Sequence, residues 1–129
     1  MLYHEGNVIE KRGIVFKDTN TPDPRGKHPA MIAIAVSEDN QFMYYLTLTS
    51  QLRHYEIYKE MYKLIRKTSE NRLRKTSLVN LANIYKDAVS SHAPVAYIQP
   101  DEYRALIVKF KAYQNRHPDE YYSEIKDLI

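Results

Sequence analysis

Two apolar runs stand out from the pattern of hydrophobic and polar positions. Ala30-Met31-Ile32-Ala33-Ile34-Ala35-Val36 and Phe42-Met43-Tyr44-Tyr45-Leu46 both read as strands, and the polar stretch Ser37-Glu38-Asp39-Asn40-Gln41 between them reads as a hairpin turn. Upstream, Gly13-Ile14-Val15-Phe16-Lys17 predicts a short strand, followed by a turn-rich loop from Asp18 to Gly26. Downstream, Tyr58, Met61, Tyr62 and Ile65 recur at amphipathic-helix spacing, predicting a helix over His54 to Arg66 with Ile57 and Leu64 widening its stripe. Lys67 to Lys75 is polar and basic, a loop; Ser77 to Tyr85 predicts another strand, and Val95-Ala96-Tyr97-Ile98 a shorter one. Asp101 and Glu102 after Pro100 open a helix to about Tyr113, with acids at the positive end of its dipole. His117-Pro118-Asp119 breaks that helix, and a last short one is expected over Asp119 to Leu128. Short strands with interspersed helices define an α+β domain rather than a βαβ array.

The hairpin has a consequence for chemistry. Arg25-Gly26-Lys27-His28-Pro29 runs into the first strand and Thr47-Leu48-Thr49-Ser50-Gln51 ends the second, so pairing brings both polar clusters to one end of the sheet.

Bulk properties narrow the classes open to such a site. With 129 residues, 43% hydrophobic and 27% charged, the chain is expected to form one globular domain over residues 1–129. Cysteine is absent, which removes disulfide, thiolate-metal and cysteine-nucleophile chemistry together. No apolar run reaches the ~20 residues of a membrane helix, and Met1-Leu2-Tyr3-His4-Glu5 is no signal peptide, so a cytoplasmic protein without membrane contact is expected. The net charge is only +3, but eight Lys or Arg against three Glu lie between Arg53 and Lys75. That middle suits a polyanion on one face; solvated helix and loop charge is the ordinary alternative.

Cleaving RNA without a metal requires a proton acceptor for the 2′-hydroxyl, stabilisation of phosphate charge and a proton for the leaving 5′-oxygen. His28 can serve as acid or base near neutral pH. Lys27, Lys17, Arg25 and Arg53 supply positive charge, Thr47, Thr49 and Ser50 supply donors, and Gln51 a neutral amide. Each has a plain reading too, His28 as a loop histidine before proline and the hydroxyls as capping or cross-strand residues. The five histidines are scattered, only three glycines are present and Asp18 and Asp23 sit among turn residues. Metal sites, phosphate loops and cofactors are therefore not expected.

Arg12-Gly13-Ile14-Val15, the Pro/Asp-rich loop, Gly26-Lys27-His28-Pro29-Ala30 opening one strand and Leu48-Thr49-Ser50-Gln51 closing the next form an ordered set. That set resembles the MazF/PemK (Kid) toxin superfamily. The run Ser77-Leu78-Val79-Asn80-Leu81-Ala82-Asn83-Ile84-Tyr85 resembles a segment of its type III branch, the ToxN and CptN-like toxins. The resemblance spans about residues 10 to 110. It implies a compact, SH3-like curved antiparallel β-barrel with peripheral helices. The implied activity is a metal-independent, sequence-specific endoribonuclease leaving a 2′,3′-cyclic phosphate and a 5′-hydroxyl. The implied partners are substrate RNA and a small pseudoknotted RNA antitoxin, cut from a repeat array by the toxin and closed with it into a ring.

Carried over residue by residue, His28 stands where MazF-like toxins place an arginine, and Lys27 beside it is a counterpart of a ToxN lysine. Thr49 and Ser50 match the Thr-Ser pair of the strand end. His28 is then general acid or base, Lys27 the phosphate clamp, and Thr49 and Ser50 donors to the non-bridging oxygens. Lys17 and Arg53 are alternative clamps. Arg25, Gln51, Lys59, Lys63, Arg66, Lys67, Arg72, Arg74 and Lys75 are expected to contact RNA, with Tyr44, Tyr45, Tyr55 and Tyr58 as candidate stacking surfaces. A non-catalytic RNA-binding module and a gyrase-type protein inhibitor on the same fold are the competing readings.

Overall fold

The two apolar runs lie at the centre of the sheet. In the computed structural model, which describes residues 5–10, 15–16, 21–22, 30–89 and 93–129, they are β4 (Ala30–Val36) and β5 (Phe42–Thr49). They pair antiparallel, with Met31 opposite Thr47 and Val36 opposite Met43. The turn closes through Ser37 N–H to Phe42 O and Asn40 N–H to Ser37 O, and Asn40 takes the left-handed conformation at φ 60°. Asparagine tolerates that region better than most side chains.

β4 and β5 read as unbroken apolar runs because both faces are covered. Ile32, Ile34, Tyr44 and Leu46 face one core, with Leu106, Phe110, Tyr122 and Ile125 of the C-terminal helices. Met31, Ala33, Met43 and Tyr45 face a second, smaller cluster with Ile9 and Tyr85. A register shift between Ala33 and Ala35 lets Ile34 and Ala35 both join the first core. Tyr44 and Tyr45 are 3% and 0% exposed, so these two are core residues and not stacking surfaces.

The remaining strands curl the sheet into an antiparallel half-barrel: β6 (Tyr62–Ile65), β7 (Ser77–Asn80), β5, β4, β1 (Asn7–Glu10) and β9 (Ala96–Tyr97) follow in that order, with β8 (Tyr85–Ala88) also on β5. β1 (Asn7–Glu10) pairs with β4 and with β9 (Ala96–Tyr97). Gly6, just before β1, sits at φ +90°, where a side chain would be strained, and its N–H donates to Ala33 O. β2 (Val15–Phe16) and β3 (Thr21–Pro22) form a separate two-stranded ribbon.

Two sequence expectations are corrected here. The helix expected over His54 to Arg66 is a short helix α1 (Arg53–Ile57), a 3-10 turn (Lys59–Met61) and strand β6 (Tyr62–Ile65). β6 pairs with β7 (Ser77–Asn80) and buries Tyr62 and Ile65; ladder pairing and core contact override the local helical period. The strand expected over Ser77 to Tyr85 is interrupted. β7 pairs Val79 with Leu48, whereas β8 (Tyr85–Ala88) pairs Tyr85 with Tyr45. The extra residues form a turn in which Asn80 Oδ1 accepts from Ala82 N–H at 2.8 Å.

Helix α2 (Pro100–Arg116) carries proline at its start and acids in its first turn, and α3 (Tyr122–Ile125) follows the predicted break. Gln114, fully buried, joins α2 to the β7–β8 turn through Nε2 to Leu81 O (2.7 Å), and its Oε1 accepts from Asp119 N–H (2.7 Å). Among the described residues no helix is long and apolar enough to cross a membrane.

Candidate functional site

Five strand ends meet at one mouth of the half-barrel. The last residue of β1 (Glu10), the first of β4 (Ala30), the last of β5 (Thr49), the first of β7 (Ser77) and the first of β9 (Ala96) all line a cavity of about 250 Å3. Ser50 also lines it, and the 66–76 connection between β6 and β7 contributes Arg72, Arg74 and Lys75. Among the described residues, hydroxyls, three cations and one carboxylate thus share this concavity.

The 66–76 segment is long for a hairpin connection, and its internal bonds hold it in shape. Asn71 is 4% exposed and organises it: Oδ1 accepts from Thr68 N–H (3.1 Å) and Leu73 N–H (3.0 Å), while Nδ2 donates to Arg66 O (2.8 Å). Lys67 N–H donates to Thr76 Oγ1 across the base of the segment. Tyr97 N–H to Asn71 O and Gln99 Nε2 to Glu70 O join it to β9 and the approach to α2. Leu73 is buried, whereas Arg72, Arg74 and Lys75 are exposed; the segment points its apolar residue inward and its cations outward.

The strand-end hydroxyls are also oriented. Thr49 Oγ1 accepts from Gln51 N–H at 3.2 Å, which leaves the hydroxyl hydrogen available as a donor. Ser50 is exposed beside it, and Ser77 Oγ donates to Lys75 O at 2.8 Å, tying β7 to the basic segment.

Of the residues expected to form the site, Thr49, Ser50, Arg72, Arg74 and Lys75 converge here. Lys17, Arg25, Lys27 and His28 lie outside the described residues. Tyr55, Lys63 and Arg66 line a different cleft of about 550 Å3, together with Glu70, Asp101 and Glu102. There Lys63 pairs with Glu102 at 3.6 Å, so that cleft is not a basic surface. Tyr55 is half-buried under Lys109, whose Nζ lies 5.4 Å from the ring centroid and donates to Lys59 O and Tyr62 O. Burial lowers the Lys109 pKa, and the Lys63 charge adds to the effect. Gln51, Arg53, Lys59 and Lys67 are exposed and line neither cleft. The cations between Arg53 and Lys75 therefore do not share one surface, because Tyr62–Ile65 of the expected helix is a sheet strand.

Glu10 and Ser77 went unnoticed in the sequence. Ser77 lies two residues after Lys75, the end of the basic run, a usable signal; Glu10 closes a strand too short to read locally. Among the described residues no cluster of His, Cys, Asp or Glu could hold a metal ion.

The molecule is thus an α+β protein whose curled sheet opens onto a cavity lined by cations and hydroxyls. No protein-family model matches this chain, and no curated protein is significantly similar to it.

Proposed function

We propose that this protein is a MazF/PemK-like toxin of the type III kind, a metal-independent endoribonuclease leaving 2′,3′-cyclic phosphate and 5′-hydroxyl ends. A small repeat RNA, processed by the toxin and then retained, is the proposed antitoxin and ring-forming partner. The observation that carries the reading is the convergence of Thr49 and Ser50 with Arg72, Arg74 and Lys75 around one cavity at the strand ends. Donated hydrogen bonds and cations around one concavity suit a phosphodiester whose charge grows during reaction. His28, two residues before Ala30 in the sequence, is assigned general acid or base, as the resemblance implies. Lys27 is assigned to the phosphate.

A protein-target inhibitor has no need of three cations and strand-end hydroxyls at one mouth. A purely RNA-binding module has no need of a carboxylate among them. The test is cleavage of mixed-sequence single-stranded RNA and growth arrest by the wild type, Ser50→Ala and His28→Ala. Cleavage by the wild type, with a loss on the order of 10²-fold or more in each variant, supports the reading. Full activity in both variants overturns the site, and an inert wild type overturns the nuclease.

A further inference from the structure

Arg72 and Tyr97 stand side by side next to the cavity, both exposed, with the guanidinium 5.9 Å from the ring centroid. Arg72 lines the cavity itself. Tyr97 is placed by β9, where Ala96 and Ile98 are buried and Val95 and Tyr97 turn to the other, exposed side. Val95 also lines the cavity. The backbone joins the pair as well: Tyr97 N–H donates to the carbonyl of Asn71, the neighbour of Arg72, at 2.8 Å. Asn71 and Leu73 are buried on either side of Arg72, which fixes where its side chain leaves the segment.

Beyond that contact the two side chains are uncommitted. Among the described residues the Arg72 guanidinium has no hydrogen-bond acceptor or counter-ion, and the Tyr97 hydroxyl has no hydrogen-bond partner. Arg72 is nevertheless held at φ 59°, a conformation that strains a long side chain. Strain maintained at an exposed, unpaired cation beside an open ring marks a surface that faces a ligand.

We infer that Arg72 and Tyr97 form a stacking platform for an unpaired base of single-stranded RNA, a role that rests on RNA occupying the cavity as proposed above. Bases stack on tyrosine rings and on the planar guanidinium of arginine. Arg74 and Lys75, which line the cavity from the same segment, attract the phosphates of that strand. Charge alone would accept a duplex as readily as a single strand. The platform can be reached only by a base that has left its own helix. It therefore requires the substrate to be unpaired beside the cavity, whatever base stands there. No bond is made or broken at this position; the pair binds and orients.

The test is binding of three fluorescent probes by the intact protein. They are a mixed-sequence single-stranded 2′-O-methyl RNA, which cannot be cleaved, its duplex, and a base-free sugar–phosphate strand of equal length. Wild type, Tyr97→Phe and Tyr97→Leu are compared over a range of salt concentrations, with thermal melting of each. Tyr97→Leu keeps apolar bulk but loses the flat ring, and should bind the single strand about 5- to 100-fold more weakly. Tyr97→Phe keeps the ring and should stay within about twofold of wild type. Affinity for the duplex and the base-free strand should be alike in all three proteins. The salt slope should be alike too, since no charge is removed.

An undiminished affinity of Tyr97→Leu for the single strand would overturn the platform and leave the RNA reading standing. An equal loss on the duplex or the base-free strand, or an altered salt slope, would make the ring a support for the cations and also overturn it. So would wild-type binding to the base-free strand as tight as to the single strand. A folded wild type that binds no single strand would overturn both readings. If Tyr97→Leu does not melt cooperatively, Arg72→Gly, which relieves the backbone, decides the matter. Its ratio of single-strand to base-free affinity should fall below that of wild type, and an unchanged ratio rejects the platform.

Discussion

The guanidinium of Arg72 lies 5.9 Å from the centroid of the Tyr97 ring, and Arg72 reaches that position from a left-handed backbone at φ 59°. A long side chain in this region is strained, and the strain falls within the segment that supplies the cavity's cations. Arg72→Gly relieves the backbone, whereas Arg72→Ala keeps it strained, and both remove the cation. The Gly variant should therefore be more stable than the Ala variant by about 1 kcal/mol in urea unfolding, with RNA affinity reduced in both. Equal stabilities would show that the conformation carries no strain.

Asn71 should be the most sensitive position of that segment. Asn71→Ala leaves the N–H groups of Thr68 and Leu73 and the carbonyl of Arg66 without their present partners. The expected loss is about 2–3 kcal/mol in denaturant unfolding, since each orphaned group costs roughly 1–3 kcal/mol and water reaches part of the segment. A change below half a kcal/mol would mean the segment holds its shape by other contacts.

Salt dependence separates cations that meet RNA from those that do not. Arg74→Ala and Lys75→Ala should each lower the slope of log affinity against log salt by about one, weakening binding across sequences. Lys67→Ala, at an exposed site lining neither cleft, should leave the slope unchanged. Identical slopes in all three variants would count against the cavity as the RNA contact.

Acid stability should report on Glu124, which ties α3 to the sheet. Its Oε1 accepts from Lys86 Nζ and Tyr44 Oη, both at 2.8 Å, and these bonds, the Lys86 one foremost, hold its carboxyl below the ordinary range. A lowered carboxyl pKa stabilises the fold above its unfolded value, roughly 4.3, and that contribution disappears as pH falls through the folded value. Glu124→Gln should therefore melt below the wild type at pH 7, and the difference should shrink below about pH 4. A difference that does not vary with pH would reject the ion pair as its source.

How much was legible in the sequence depended on whether local pattern and long-range pairing agreed. The β4–β5 hairpin was readable because both faces of Ile32 to Leu46 are covered, which leaves two apolar runs around a polar turn. α2 was readable from Pro100, Asp101 and the apolar positions after them. Tyr62 to Ile65 was misread because a helical stripe and a short half-buried strand differ little over four residues; pairing with Ser77 to Asn80 settles it. In the cavity, Thr49, Ser50 and the three cations stood out by residue type. Glu10 did not, because its place depends on a register with Ala30 that no local window contains.

The bonds inside the 66–76 segment have a consequence for how such a protein can diversify. Asn71, Thr68 and Thr76 hold the segment's shape from within, and the strands on either side end at Ile65 and Ser77, already paired with each other. Its exposed cations take no part in the apolar core. Its exposed positions are therefore exchangeable: charge or stacking groups can change at 72, 74 and 75 while Leu73 in the core and Asn71 against β9 keep the segment in place. Under the proposed function, a change of RNA target needs only these exposed positions and leaves folding of the half-barrel unaltered.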